Sequence, residues 1–252
     1  MTVDTVIDRK TVSGASSQHE RELRRRDTER LIHDLIGRNL EFFAEPENRL
    51  EFLQGTSAAS FYRIAQHVNA KLRSEKPWKL KDEKGSLLPA VHTPSNDSKP
   101  EALRRGYDAL QDYLRESSDT VDKKIADAAL GVEALVILVH PFGDGNGRTS
   151  RFLSKFIEEG GADMKGLIET TASNTANPHN FKGVPVETRE YCLARLNNPD
   201  DLMDDDERDE LIAQADTMPD DVEGMYRSIK RLLESDELKD RVKYPKKYRR
   251  VL

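Results

Sequence analysis

The stretch His140-Pro-Phe-Gly-Asp-Gly-Asn-Gly-Arg-Thr-Ser-Arg151 holds three glycines, a carboxylate, an amide, a histidine and two arginines. Glycine is tolerated where backbone must approach a ligand closely or take positive φ. Gly143, Gly145 and Gly147 therefore predict a tight loop with accessible N–H groups, able to hold an anion. After the loop, Arg148-Thr-Ser-Arg-Phe-Leu-Ser-Lys-Phe-Ile-Glu-Glu159 reads as helix until Gly160-Gly161. This puts the loop at a helix N-terminus, where free N–H groups and the dipole favour phosphate. Arg148 and Arg151 are three apart and share a helix face, so both guanidiniums can reach one polyphosphate. Before the loop, Val121 to Val139 supplies Ile125, Ala129, Val132, Val136 and Val139 as a long apolar stripe that ends at His140. The predicted order is helix, anion loop, helix.

Each polar residue of the loop has a chemical reading and a structural one. His140 is a general-base candidate, since imidazole takes a proton from a hydroxyl near neutral pH, or it is a core histidine closing an apolar helix. Asp144 is a hard oxygen ligand beside a polyphosphate, the usual setting for Mg²⁺, or a turn aspartate accepting backbone N–H bonds. Asn146 can cap the following helix. Arg148 and Arg151 would neutralise charge on a leaving group, or serve as surface ion-pair partners. Phe142 offers no chemistry and anchors the loop, and Pro141 stiffens the approach to it.

The twelve residues match His-x-Phe-x-Asp/Glu-Gly-Asn-Gly-Arg-x-x-Arg at every defined position. The string thus resembles the signature of the Fic family, and the likeness covers roughly residues 57–160. The resemblance implies an all-α, mainly helical fold with a small β-hairpin flap. It also implies an adenylyltransferase, which moves AMP from ATP to a Ser, Thr or Tyr hydroxyl of a target protein and releases pyrophosphate. By the same resemblance His140 deprotonates the hydroxyl and Asp144 holds Mg²⁺. Gly143, Gly145, Asn146, Gly147, Arg148 and Arg151 bind the nucleotide phosphates. UMP, phosphocholine or phosphate transfer uses the same fold. Members that phosphorylate carry Lys at the position of Gly147, so Gly147 argues against that branch. An interaction protein with a relict pocket fits poorly with an intact His140, Asp144, Asn146, Arg148 and Arg151.

Two further features take meaning from the resemblance. Residues 78–94 contain a turn-prone Lys84-Gly85 and an apolar stretch broken by prolines, which reads as a small hairpin or extended edge. Fic proteins carry a target-docking flap there, which pins the target by strand addition, and Leu87, Leu88, Ala90, Val91 and His92 would form it. A surface hairpin with no role is the plainer reading. Ser16-Ser-Gln-His-Glu20 fits the first five positions of the family's inhibitory motif, whose glutamate pairs with the second arginine. Arg21 departs from the Gly or Asn that follows in that motif, and restraint by a separate inhibitor protein, or none, is the alternative to Ser16 and Glu20.

The remainder of the chain sets bounds. At 252 residues it holds one sizeable core with extensions: a polar arm over 1–26, a domain over 27–196 and a helical C-terminal extension over 197–252. Periodic apolar residues predict helices from Asp27, over Phe61 to Val68, over Leu103 to Leu114, over Val186 to Leu196, at Ile212 to Ala215 and over Met225 to Leu233. Charged residues make up 34% and the formal charge is −6, which gives no pull towards nucleic acid or an anionic membrane. The single Cys192 rules out an internal disulfide framework, and no apolar run has the ~18 residues of a membrane span. The first ten residues lack the basic start and apolar stretch of a signal peptide, which predicts a cytoplasmic protein without excluding a non-classical export route.

Overall fold

The computed structural model describes residues 40–72, 87–88, 91–143, 145–160, 179, 181, 184, 188–197 and 204–244. A 3₁₀ turn over Leu40–Ala44 leads into α1 (Pro46–Gly55) and α2 (Ala58–Leu72). A two-residue ladder, β1 (Leu87–Leu88) with β2 (Val91–His92), precedes α3 (Lys99–Glu116), α4 (Val121–Val139) and α5 (Asn146–Glu159). The chain continues as α6 (Arg189–Leu196), α7 (Asp205–Ala215), α8 (Asp221–Glu234) and α9 (Asp236–Lys243). The fold is mainly helical. The ladder is antiparallel and pairs Leu87 with His92 and Leu88 with Val91, which is a hairpin in the predicted segment.

Local chemistry explains where the helices begin. Thr120 caps α4, its hydroxyl accepting from the Lys123 N–H, and Asp204, Asp220 and Ser235 do the same for α7, α8 and α9. Ser57 caps α2, its Oγ accepting from the Ser60 N–H at 3.1 Å. Thr56 instead turns its hydroxyl back to the Phe52 carbonyl at 2.7 Å.

The core forms around α4, which packs against α1, α3, α5 and α8. Surrounded on all sides, α4 is apolar nearly all round and its residues from Leu130 to Val136 are all buried. The predicted α3 stripe, Leu103, Tyr107, Leu110 and Leu114, is fully buried against it, and Tyr107 stacks on Phe61 of α2 at 4.2 Å. Polar groups of α3 also close the end of α1: Tyr107 Oη donates to the Leu53 carbonyl at 2.9 Å, and Gln111 Nε2 to those of Leu53, Gln54 and Thr56. The carbonyls that a helix C-terminus leaves without intrahelical partners are thereby satisfied.

The C-terminal region enters this same core. Met225, Ile229, Leu232 and Leu233 of α8 are fully buried in one cluster with residues of α2 to α5. Glycines let the backbones approach: a Cβ on Gly106 would lie 2.4 Å from Leu135 Cδ1, and one on Gly131 would lie 3.0 Å from Leu233 Cδ2. Cys192 of α6 with Leu211 and Ala215 of α7 makes a separate, smaller cluster.

Candidate functional site

Helix α4 delivers His140 at its C-cap with φ 50° and ψ 54°, the left-handed region, while the His140 N–H still donates to the Val136 carbonyl at 3.1 Å. Among the described residues His140 is the one non-glycine with positive φ. The following Pro141 disfavours the right-handed helical conformation at His140, so α4 ends there. Such a residue costs on the order of 1–3 kcal/mol and persists where surrounding structure over-determines it. Here that structure is the fully buried Phe142, two residues on.

The loop closes on itself through Asn146. Its Oδ1 accepts from the Phe142 N–H at 3.0 Å, and its Nδ2 donates to the Phe142 carbonyl at 2.6 Å. The capping role expected of Asn146 is not what the structure shows: it is the first, buried residue of α5, and Gly145 is the N-cap. Gly145 sits at φ 82°, ψ 8°, where a side chain would be strained, and its carbonyl accepts the Thr149 N–H at 2.9 Å. The neighbouring glycines differ from Gly145. Gly147 lies within the helix and Gly143 is exposed, and neither takes positive φ. Only Gly145 is required by conformation; Gly147 leaves the first turn of α5 without a side chain where the helix N–H groups emerge.

From α5, Arg148 is half-buried and Arg151 is only 8% exposed, so Arg151 is not a surface ion-pair residue. Burial pulls the Arg151 guanidinium pKa down; the Glu133 carboxylate opposes this, and Arg148 adds to the depression. Beneath them, Thr149 and Ser150 are fully buried, and Thr149 Oγ1 accepts from Asn69 Nδ2 of α2 at 3.0 Å, fixing α5 against α2.

Glu133 was not singled out by sequence reasoning, although a signal existed. It is the lone polar residue in the run Ala128 to Val139. It is 2% exposed, and its Oε2 lies 2.8 Å from Nδ1 of His179, a second residue that sequence reasoning passed over. Of the other predicted residues, Asp144, Ala90, Ser16 and Glu20 lie outside the described residues, and for Leu87, Leu88, Val91 and His92 the structure describes the hairpin backbone.

The arrangement brings an imidazole, an open helix N-terminus and two arginines to one loop, which suits a polyphosphate. Residues 61–157 match the model of the Fic/DOC family. That segment belongs to the Fic/DOC family. The matched span runs from the start of the buried stripe of α2 to the last apolar turn of α5, and a Fic domain points to a transferase. No curated protein and no solved structure matches the chain. Among the described residues no helix is long and apolar enough to cross a membrane.

Proposed function

We propose that the protein is an adenylyltransferase that moves AMP from ATP to a Ser, Thr or Tyr hydroxyl of a target protein. The observation that carries this reading is the pairing of His140, presented at a left-handed cap, with the α5 N-terminus that Gly145 opens and Asn146 clasps. The target oxygen attacks the α-phosphorus, the bond from that phosphorus to the bridging oxygen breaks, and pyrophosphate leaves. The hydroxyl proton passes to His140. Its Nδ1 is buried, so Nε2 is the nitrogen that takes it.

The α5 N–H groups hold the α-phosphate, with the Asn146 side chain committed to keeping the loop in shape. Arg148 and Arg151 stabilise charge developing on the leaving group. Asp144, an oxygen donor beside the phosphates, would hold Mg²⁺, which supplies charge neutralisation when bound. The hairpin of β1 and β2 would dock the target backbone by strand addition, and Glu20 would restrain the enzyme through Arg151. The sequence holds a single cysteine, the buried Cys192, which fits a cytoplasmic site of action.

Intact-mass spectrometry of the protein and of candidate targets, incubated with ATP and Mg²⁺, tests the reading. An AMP-sized addition that is lost in His140→Ala supports it. A phosphate-sized addition, or transfer only from UTP or a phosphocholine donor, replaces it with another transfer on the same fold. Asp144→Ala should reduce the Mg²⁺ dependence of nucleotide binding measured by calorimetry, and an unchanged dependence would remove Asp144 from the metal site.

A further inference from the structure

We infer that the pair of helices α6 and α7 is a docking surface for the target protein, and that the segment it takes is apolar at its centre and basic at its flanks. The inference names the partner chemistry of the proposed transferase and rests on that reading.

Chain direction sets the geometry. The Arg189 N–H, at the start of α6, donates to the Pro219 carbonyl just past the end of α7 at 2.8 Å, so the two helices run antiparallel. They pack through Cys192, Leu211 and Ala215. Each step along a helix turns the side chain by about 100°, and on antiparallel helices the residue after an inward one swings to the same side of the pair. Leu193 follows Cys192, and Ile212 follows Leu211. Leu193 lies about 6 Å along α6 from Arg189, and Ile212 about 4.5 Å back along α7 from Ala215, so their heights match as well. They are 41% and 45% exposed, two of the three large apolar residues that stand exposed among the described residues.

Charge and position identify the occupant. Every residue from Asp204 to Glu210 is exposed, and all are acids except Arg208. Asp205 and Asp209 precede Ile212 by seven and three residues and so share its face of α7. Carboxylates beside an apolar pair repel nucleic acid and anionic lipid, and complement a protein segment whose apolar side chains are flanked by lysine or arginine. The surface also lies where a target is expected. Helix α6 packs against β2, and Asp221 Oδ2, at the start of α8, accepts the Ser95 N–H at 3.3 Å, three residues beyond that strand. The α6 and α7 pair is therefore fixed beside the hairpin and extends its surface outward.

The test uses the full chain and fluorescent synthetic peptides in which a leucine pair is flanked by lysines, by glutamates or by serines, each with a version whose leucines are serines. Anisotropy titrations give the order of affinities, and hydrogen exchange maps where the tightest binder protects the protein. The lysine-flanked leucine peptide should bind tightest, protect α6 and α7, and bind more weakly as salt is added. Leu193→Ser or Ile212→Ser, both at exposed positions, should weaken it about tenfold, the scale of one apolar anchor. Asp205→Lys combined with Asp209→Lys should turn the preference towards the glutamate-flanked peptide. If that variant does not fold, Asp205→Asn with Asp209→Asn should abolish the preference for lysine. Absence of binding, an affinity order indifferent to flanking charge, protection elsewhere, or undiminished binding in the serine variants overturns the inference. So does self-association of the wild type that the serine variants lose, since a second copy of the chain would then be the occupant. Calorimetry with ATP and Mg²⁺ should give the wild-type affinity in every folded variant, and a loss there would overturn docking as the role of these residues. Failure of wild type to bind ATP would sink the transferase reading, whereas the peptide order, measured without nucleotide, reports on α6 and α7 by themselves.

Discussion

Helix α4 carries two buried carboxylates six residues apart, and their surroundings differ. Near its N-terminus, Asp127 Oδ2 accepts from Tyr113 Oη at 2.6 Å and from Lys239 Nζ at 2.8 Å, all three residues being buried. Lys239 also donates to the Leu233 carbonyl at 2.9 Å and pairs with Asp236 at 3.0 Å. Burial first, and then hydrogen bonding to Asp127, pushes the Tyr113 phenol far above its ordinary value, so it stays a donor. Towards the C-terminus, Glu133 has one oxygen engaged by His179 and one with no hydrogen bond among the described residues. A closed network of donors and acceptors fastens α9 to α3 and α4. The end next to the loop is left electrostatically open, which suits a place where an anion completes the charge balance.

The largest effect should come from the loop end. His140→Ala should lower transfer by ~10²–10⁴-fold, the usual loss with a general base, while ATP affinity stays close to wild type. If its ring serves the incoming hydroxyl, thermal stability should change little. A variant that modifies its target at the wild-type rate would place His140 among structural residues and erase the contrast between the two ends.

At the closed end, Lys239→Ala should cost about 3–5 kcal/mol by leaving Asp127 buried without its cation. Thermal denaturation should show the loss, with ATP binding preserved in the folded variant. If ATP affinity falls in proportion to stability, the two ends are coupled and do not act separately.

Gly145→Ala should cost about 1–2 kcal/mol, since alanine must adopt φ 82°. It should also weaken phosphate binding by tilting the first turn of α5. Pyrophosphate titration compared with the melting temperature distinguishes a local loop effect from general destabilisation, and unaltered binding would mean that the loop conformation does not set the anion site.

The smallest effect concerns the rim of the closed network. A hydrogen bond from Lys239, and then its charge, holds the exposed Asp236 carboxyl below its ordinary value of 3.8. With the folded value depressed, the contribution is present above 3.8 and is lost as pH falls through the folded value. Asp236→Asn should therefore flatten the stability profile slightly below pH 3.8, and a steeper acid limb would contradict the assignment.

Much of this could be read along the chain. Spacing in α3 and α4 gave the buried stripes because a helix packed on one face repeats its apolar residues every three to four positions. The loop residues followed from their types and order. Glu133 was passed over because an apolar stripe draws attention to what is apolar, although a lone carboxylate within it marks a buried charge that needs a partner. Asn146 was misread because capping depends on local sequence, whereas its clasp on Phe142 depends on how the chain turns back.

The sequence by itself determined the helix, loop, helix order and the set of groups gathered at the loop, since these depend on neighbours within a few residues. Tertiary structure decided which arginine is buried, that Glu133 meets His179, and that α8 completes the core through Gly106 and Gly131. Burial and pairing join residues far apart in the chain, and only the packed helices bring those surfaces together.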